Sequence, residues 1–143
     1  MTPGLRLTDA PEPAAREAIL APLRRYNEAR VGPGDHRPLC VLVTAPEDGA
    51  VLGGLWGTTA RGWLRIELLA LPDALRGSGL GTQVMRMAEE EAVRRGCRGA
   101  WLDTFSFQAR GFYEKLGFAA FGEIKDHPPG HSRVFLSKRF QAG

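Results

Sequence analysis

Three glycines stand at alternate positions in the segment Arg76-Gly77-Ser78-Gly79-Leu80-Gly81-Thr82, which we call the glycine loop. Because glycine has no Cβ, the main-chain amides of such a segment can converge on one anionic group. A helical pattern follows at once, so the loop also presents the partially positive N-terminus of a helix. Arg76 adds a fixed positive charge. These features together predict a site for a diphosphate group.

Other glycine-rich phosphate sites fit these residues less well. A Walker A loop needs a lysine that Gly81-Thr82-Gln83 does not have. A dinucleotide-binding fingerprint has the right strand and helix order, and Asp103 closes the next strand where a ribose-binding acid is expected. It remains a minor alternative because Thr82 replaces its third glycine. A glycine-rich turn that only starts a helix is the third interpretation, less common for three glycines beside an arginine.

Hydrophobic periodicity and turn residues predict the elements that position this loop. The chain begins with a short strand at 5–7 and a helix at 13–30, which Pro22 should kink or divide. The remaining predicted strands are 39–44, 51–58, 63–71, 99–104, 118–125 and 133–138, and the remaining helices are 79–95 and 108–116. This order predicts an α/β fold whose mixed sheet has an antiparallel meander and a parallel central strand pair, flanked by helices.

Two segments resemble motifs of the GNAT superfamily of N-acetyltransferases. Arg76, Gly79 and Gly81 match its acyl-CoA-binding pattern, which is Arg or Gln, two residues, Gly, one residue, and Gly or Ala. The later residues Ala109, Tyr113, Glu114, Lys115, Gly117 and Phe118 resemble the helix that carries the family's second motif, at the expected distance. The resemblance covers roughly residues 63–118 and extends to a bacterial-type branch. It implies a single GNAT-like domain, residues 1–143, that uses acetyl-CoA as co-substrate.

The resemblance also implies which residues contact acetyl-CoA. Backbone N–H groups of Leu69 and Leu71, which flank Ala70, would bond the pantetheine arm and the thioester carbonyl where the meander strand splays from its neighbour. The amides of Gly77, Ser78, Gly79, Leu80, Gly81 and Thr82, with Arg76, would hold the pyrophosphate. Ser106 stands where the family often has a longer asparagine. Pro72 is four residues before Arg76 instead of three, which predicts an early strand end or an irregularity.

Acyl transfer to an amine needs an unprotonated nucleophile, a stabilised oxyanion and a proton for the leaving thiolate. Tyr113 is the predicted general acid, with a phenol pKa of ~10 against ~8.5 for a cysteine-like thiol. Its alternative role is that of a buried aromatic. Glu67 is the predicted general base because strand alternation would put it on the face of Leu69, and an ion pair with Arg65 is an equally good interpretation. Weaker base candidates are Glu123, Asp103, His36 and His131.

The predicted reaction is direct acetyl transfer, in a ternary complex, to a primary amine of a small molecule or peptide. Side chains that could shape the acceptor pocket are Trp56, Phe105, Asp35, His36 and the 127–131 loop. A non-catalytic acyl-CoA-binding module is the first alternative, and a dinucleotide-binding oxidoreductase fragment is the second. The family resemblance is also compatible with a homodimer.

Composition disfavours several other classes of protein. The net charge is +3, but the Lys and Arg residues are scattered, so no nucleic-acid partner is expected. The sequence has neither a secretory pattern nor a long apolar stretch, which predicts a cytoplasmic protein without a membrane partner. Cys40 and Cys97 belong to no C-x-x-C or Cys/His cluster. They predict reduced structural thiols and no metal site.

Overall fold

The computed structural model describes residues 1–141, which belong to two compact units, residues 1–34 and the residues from 35 onward. The first unit contains the helix α1 (Ala15–Val31). This helix continues through Pro22 and is not divided there. The predicted strand at 5–7 is wrong, because residues 1–8 have no regular structure. Three extended residues form a strand only when a neighbouring strand pairs with their N–H and C=O groups.

The second unit contains the remaining described elements, and each of its strands and α-helices begins and ends within two residues of its predicted bounds. The strands are β1 (Arg37–Thr44), β2 (Val51–Ala60), β3 (Trp63–Ala70), β4 (Gly99–Phe105), β5 (Ala119–Lys125) and β6 (Ser132–Arg139). The helices are α2 (Leu80–Arg94) and α3 (Arg110–Lys115), and a 3₁₀ turn covers Asp73–Leu75. The strand order is β1-β2-β3-β4-β6-β5, with β3 and β4 parallel. The predicted mixed sheet is confirmed.

The two parallel strands separate part-way along their length. Their pairing runs from Trp63 with Gly99 to Ile66 with Leu102 and then ends. Beyond that point β3 stays paired with β2 as far as Ala70, and β4 stays paired with β6 as far as Phe105. A gap therefore opens between the carboxyl-terminal halves of β3 and β4. We call it the β3–β4 gap.

A β-bulge in β3 changes which side chains share a face. Trp56 of β2 is opposite Leu68, but the next residue, Gly57, is opposite Ile66, so Glu67 is the extra residue. In a bulge, two residues of one strand oppose a single residue of the other. After the bulge, Leu69 pairs with the buried Leu55 and packs against the core. The predicted irregularity before Pro72 is confirmed, and β3 ends one residue early, at Ala70.

The sheet of the second unit has a helix face and a far face. The helix face packs against α2 and α3, and its buried side chains include Leu64, Ile66, Leu102, Val134 and Leu136 with Val84, Met85, Ala88 and Tyr113 from the helices. Because side chains alternate along a strand, the residues between them point to the far face. Those residues include Arg65, Trp101, Asp103, Phe105, Arg133 and Phe135.

Candidate active site

Backbone conformation explains two of the three glycines in the glycine loop. Gly77 and Gly79 have φ angles of 78° and 81°, in the left-handed region that disfavours residues with a Cβ. A Cβ on either residue would meet no atom within 4 Å. Both residues are therefore glycine for conformational reasons, and the space beside them is free for a ligand.

The N-terminus of α2 offers hydrogen-bond donors to that space. Gly79 is the N-cap residue and no side chain caps this end of the helix. The first intrahelical bond is donated by the N–H of Gln83 to the carbonyl of Gly79, 3.1 Å away. The amides that precede Gln83 have no acceptor within the helix, and they lie at the positive end of the helix dipole. This terminus fits an anionic group such as a diphosphate.

Two side chains order and charge the same loop. The Ser78 hydroxyl donates to the carbonyl of Leu75 over 2.6 Å, which ties the loop to the preceding 3₁₀ turn. Arg76 Nε lies 3.3 Å from Asp73 Oδ1, and both side chains are largely exposed. An exposed ion pair of this kind contributes little to stability. Arg76 can therefore exchange Asp73 for a bound anion at small cost.

Close packing explains the third glycine of the loop, Gly81. Its φ is not positive, and a Cβ there would lie 3.2 Å from Phe112 Cζ and 3.5 Å from Leu71 Cδ1. Gly81 therefore allows α2 to pack closely against α3 and the end of β3. This contact also places the segment Leu69, Ala70 and Leu71 beside the start of α2, as a ligand that spans both would require.

Tyr113 lies on α3 with 8% of its surface exposed. The ring centroids of Phe112 and Phe118 are 5.2 Å and 6.1 Å from its own, both in edge-on orientation. Burial raises the pKa of the phenol above its ordinary value. The hydroxyl therefore stays protonated at neutral pH, as a proton donor must.

Glu67 lies on the opposite face of the sheet from the one expected. The bulge puts Glu67 on the far face with Trp56 and Leu68, whereas Leu69 points to the core. The alternation argument that joined Glu67 to Leu69 is therefore wrong. Thr58 Oγ1 lies 3.5 Å from Glu67 Oε1 and Arg65 Nη1 lies 4.0 Å from it, with the Glu67 side chain 35% exposed. Both contacts are long, so this carboxylate is only loosely held.

Ser106 is part of a structural link between strands. Its backbone N–H donates to the carbonyl of Ser132 over 2.8 Å, and its Oγ accepts from the N–H of Ser132 over 3.0 Å. These reciprocal bonds join the end of β4 to the start of β6. The hydroxyl proton of Ser106 is still available to a ligand.

A basic groove extends from the glycine loop, and the sequence did not predict it. The groove has a volume of about 850 Å³ and is lined by residues of α2, of the end of α3 and of β6, with Thr82 at the end next to the glycine loop. Its lining has four basic and two acidic side chains, namely Arg86, Lys115, Lys138 and Arg139 with Glu89 and Glu90. Lys138 Nζ is paired with Glu89 at 2.7 Å, and Arg86 and Lys115 are exposed. The sequence shows that Arg86 lies on α2 and Lys115 on α3. That both line one groove depends on how the two helices pack.

The residues expected to shape an acceptor pocket are only partly brought together. Phe105 at the end of β4 contacts His127, and His131 lies in the same β5–β6 connection. The segment with Asp35 and His36 precedes β1, and two strands separate β1 from β4. The remaining base candidates are less suited: Asp103 forms an ion pair with Arg133 at 2.9 Å, and Glu123 lies on the edge strand β5.

Within residues 1–141 the structure has neither a metal-binding cluster nor a membrane-spanning helix. No group of three or more His, Cys, Asp or Glu side chains in this part of the chain is arranged to hold a metal ion. None of the helices described here is long and apolar enough to cross a membrane.

The family of the chain is decided by sequence comparison. The model of the Acetyltransferase (GNAT) family matches residues 6–118. The chain belongs to the GNAT family of acetyltransferases. It is therefore an acyltransferase, and the dinucleotide-binding interpretation of the glycine loop is wrong.

Relatives of this GNAT acetyltransferase agree with that result. An acetyltransferase of Agrobacterium fabrum is 44% identical over 134 residues, which cover 94% of this chain and 97% of that protein. The blasticidin-S acetyltransferase of Streptomyces morookaense is 39% identical over 105 residues, 71% of this chain and 77% of the relative. A crystal structure of an acetyltransferase candidate from Agrobacterium tumefaciens has a TM-score of 0.90 at 43% identity, covering 96% and 99% of the two chains.

Proposed function

We propose that this GNAT acetyltransferase transfers the acetyl group of acetyl-CoA to a primary amine of a small molecule or peptide, by direct attack in a ternary complex. The β3–β4 gap is the observation that carries the proposal. The glycine loop and Tyr113 belong to the helix face of the sheet, and Glu67 belongs to the far face. Because the β3–β4 gap passes through the sheet, a thioester on the helix face can meet an amine that enters from the far face.

The residues that would hold acetyl-CoA form a continuous path. Leu69, Ala70 and Leu71 border the gap, and the glycine loop from Arg76 to Thr82 follows directly. The left-handed glycines and the uncapped helix terminus fit the pyrophosphate, and Ser106 offers a hydroxyl on the β4 side. We extend this path into the basic groove, where Arg86 and Lys115 suit the 3′-phosphate of the same molecule. GNAT enzymes use acetyl-CoA, which supplies an activated acetyl thioester.

Tyr113 acts as the general acid in this proposal. Its raised pKa keeps the hydroxyl protonated, so it can give a proton to a thiolate that leaves through the gap. The edge-on contacts with Phe112 and Phe118 fix the ring and limit the positions of the hydroxyl. A proton donor on the helix face is on the side from which the thiol must depart.

Glu67 acts as the general base, directly or through one water molecule. The bulge places its carboxylate on the far face, opposite Tyr113, where an incoming ammonium group needs a proton acceptor. The long contacts with Thr58 and Arg65 leave it free to bind a new partner. With the base and the acid on opposite faces, Glu67 can accept a proton from the amine while Tyr113 donates a proton to the thiolate.

The family match from residue 6 to residue 118 includes parts of both compact units. It supports the assignment of residues 1–143 to a single acetyltransferase domain. That assignment and a cytoplasmic location stay predictions.

Calorimetry with coenzyme A and steady-state assays of thiol release from acetyl-CoA test the proposal. The acceptor panel should include polyamines, aminoglycosides, amino acids and peptides, and blasticidin S because one relative is named for it. Direct transfer predicts intersecting lines in double-reciprocal plots, whereas parallel lines would indicate an acetyl-enzyme. Binding of coenzyme A without turnover of any amine would contradict the proposed transfer to a primary amine. Sedimentation equilibrium tests the homodimer.

A further inference from the structure

Four aromatic side chains form a cluster at the end of β4 and in the β5–β6 connection. The rings of Phe105 and Phe107 are stacked with centroids 5.4 Å apart and planes 15° from parallel. His127 meets Phe105 edge-on at 5.7 Å, and His131 meets Phe107 edge-on at 4.9 Å. Phe107 nevertheless remains 57% exposed. We call these four residues the aromatic cluster.

The aromatic cluster adjoins the β3–β4 gap on its β4 side. The gap begins after Leu102, and Phe105 is the last residue of β4. Alternation along β4 puts Phe105 on the far face, with Asp103 and Trp101. Glu67 and Trp56 are on the same far face across the gap. A molecule that enters the gap from the far face would have the Glu67 carboxylate on its β3 side and the aromatic cluster on its β4 side.

The charges around the aromatic cluster disfavour a polycationic acceptor. Asp103 is held by Arg133, with Oδ1 2.9 Å from Nη2 and 3.0 Å from Nε. The Arg133 guanidinium also lies 5.9 Å from the Phe105 centroid and 5.5 Å from that of Phe135. Asp126 accepts a backbone N–H from Gly130 over 3.4 Å. The carboxylates of Asp103 and Asp126 are therefore engaged, and the Arg133 cation lies beside the Phe105 and Phe135 rings.

We propose that the acceptor carries a planar, uncharged ring that stacks against the aromatic cluster through Phe107, with its primary amine directed to the β3–β4 gap. This inference rests on the proposed acetyl transfer and names the acceptor class for it. Aromatic rings prefer offset-stacked or edge-on partners, and the exposed part of Phe107 offers such a partner. A saturated ring or a flexible polyamine gains only general apolar contact there.

A matched pair of acceptors tests the inference. 2-Phenylethylamine and 2-cyclohexylethylamine have the same reach and differ mainly in the flatness of the ring. We expect kcat/KM for the phenyl compound to be higher by about tenfold, the upper range for an aromatic pair. Phe107→Leu should remove this preference and leave the KM for acetyl-CoA unchanged. Phe121→Leu is the control, since Phe121 is 63% exposed on β5, two strands from β4.

Binding can be measured even if neither compound is acetylated. The chain has three histidines, and two of them belong to the aromatic cluster. With coenzyme A present, 2-phenylethylamine should shift the imidazole NMR signals of His127 and His131, and not those of His36. Equal shifts from the cyclohexyl compound, or none from either, would overturn the inference. If the protein binds coenzyme A and acetylates polyamines alone, the inference about a planar ring is overturned. The proposed acetyl transfer would still stand in that case.

Discussion

Substitution of Tyr113 by phenylalanine separates the packing of this residue from the proton transfer that we propose for it. Phenylalanine keeps the ring and its edge-on contacts with Phe112 and Phe118, at 5.2 Å and 6.1 Å. We therefore expect the free energy of unfolding to change by less than about 1 kcal/mol, whereas Tyr113→Ala should cost about 3–5 kcal/mol. A chain of this length would lose only a few degrees of melting temperature from the phenylalanine variant.

The effect on catalysis should be much larger. Loss of a general acid typically lowers a rate by about 10²–10⁴-fold, so kcat of Tyr113→Phe should fall at least about 100-fold, or ~2.7 kcal/mol in activation free energy. The KM for acetyl-CoA should stay within about twofold, since the glycine loop is unchanged.

The pH dependence supplies a second criterion. Burial raises the pKa of Tyr113 above its ordinary value, so the active protonated form persists up to about pH 10 and is lost only above it. Deprotonation of Tyr113 should therefore cause no fall in kcat between pH 7 and 10. An unchanged kcat in Tyr113→Phe would refute the general-acid role. A kcat decrease below pH 10 that disappears in the variant would refute the raised pKa.

Three further substitutions test the other parts of the site. Glu67→Gln should lower kcat/KM for the amine about 100-fold, and Thr58→Val, which removes only the 3.5 Å contact to Glu67 Oε1, should change it less than about threefold. Gly79→Ala should cost about 1–2 kcal/mol of unfolding free energy, because the φ angle of Gly79 is 81°, and it should weaken coenzyme A binding in calorimetry. Gly111→Ala is the control: a Cβ at Gly111 would also meet no atom within 4 Å, but Gly111 lies in helix α3. This control variant should be neutral or slightly stabilising. Arg86→Gln should weaken binding of coenzyme A about tenfold but leave binding of 3′-dephospho-coenzyme A unchanged, and equal losses for both ligands would contradict a 3′-phosphate contact.

The order of elements and the glycine loop could be read from the sequence because their determinants are local. Apolar periodicity and turn residues fixed the strands and helices of the second unit, and the glycines marked the start of α2. Two motifs in register were enough to predict the family. Among the described residues, the one predicted strand that the structure lacks is 5–7, where no neighbouring strand pairs with the backbone N–H and C=O groups.

The geometry of the site depended on contacts between distant segments, which no local pattern contains. A single extra residue in β3 moved Glu67 to the far face, because strand alternation has a period of two and one insertion reverses it. The early end of the β3–β4 pairing, the basic groove and the aromatic cluster likewise join residues from separate elements. The sequence alone thus determined the family and predicted an anion-binding loop, and the tertiary structure decided which faces of the sheet Tyr113, Glu67 and the aromatic cluster occupy.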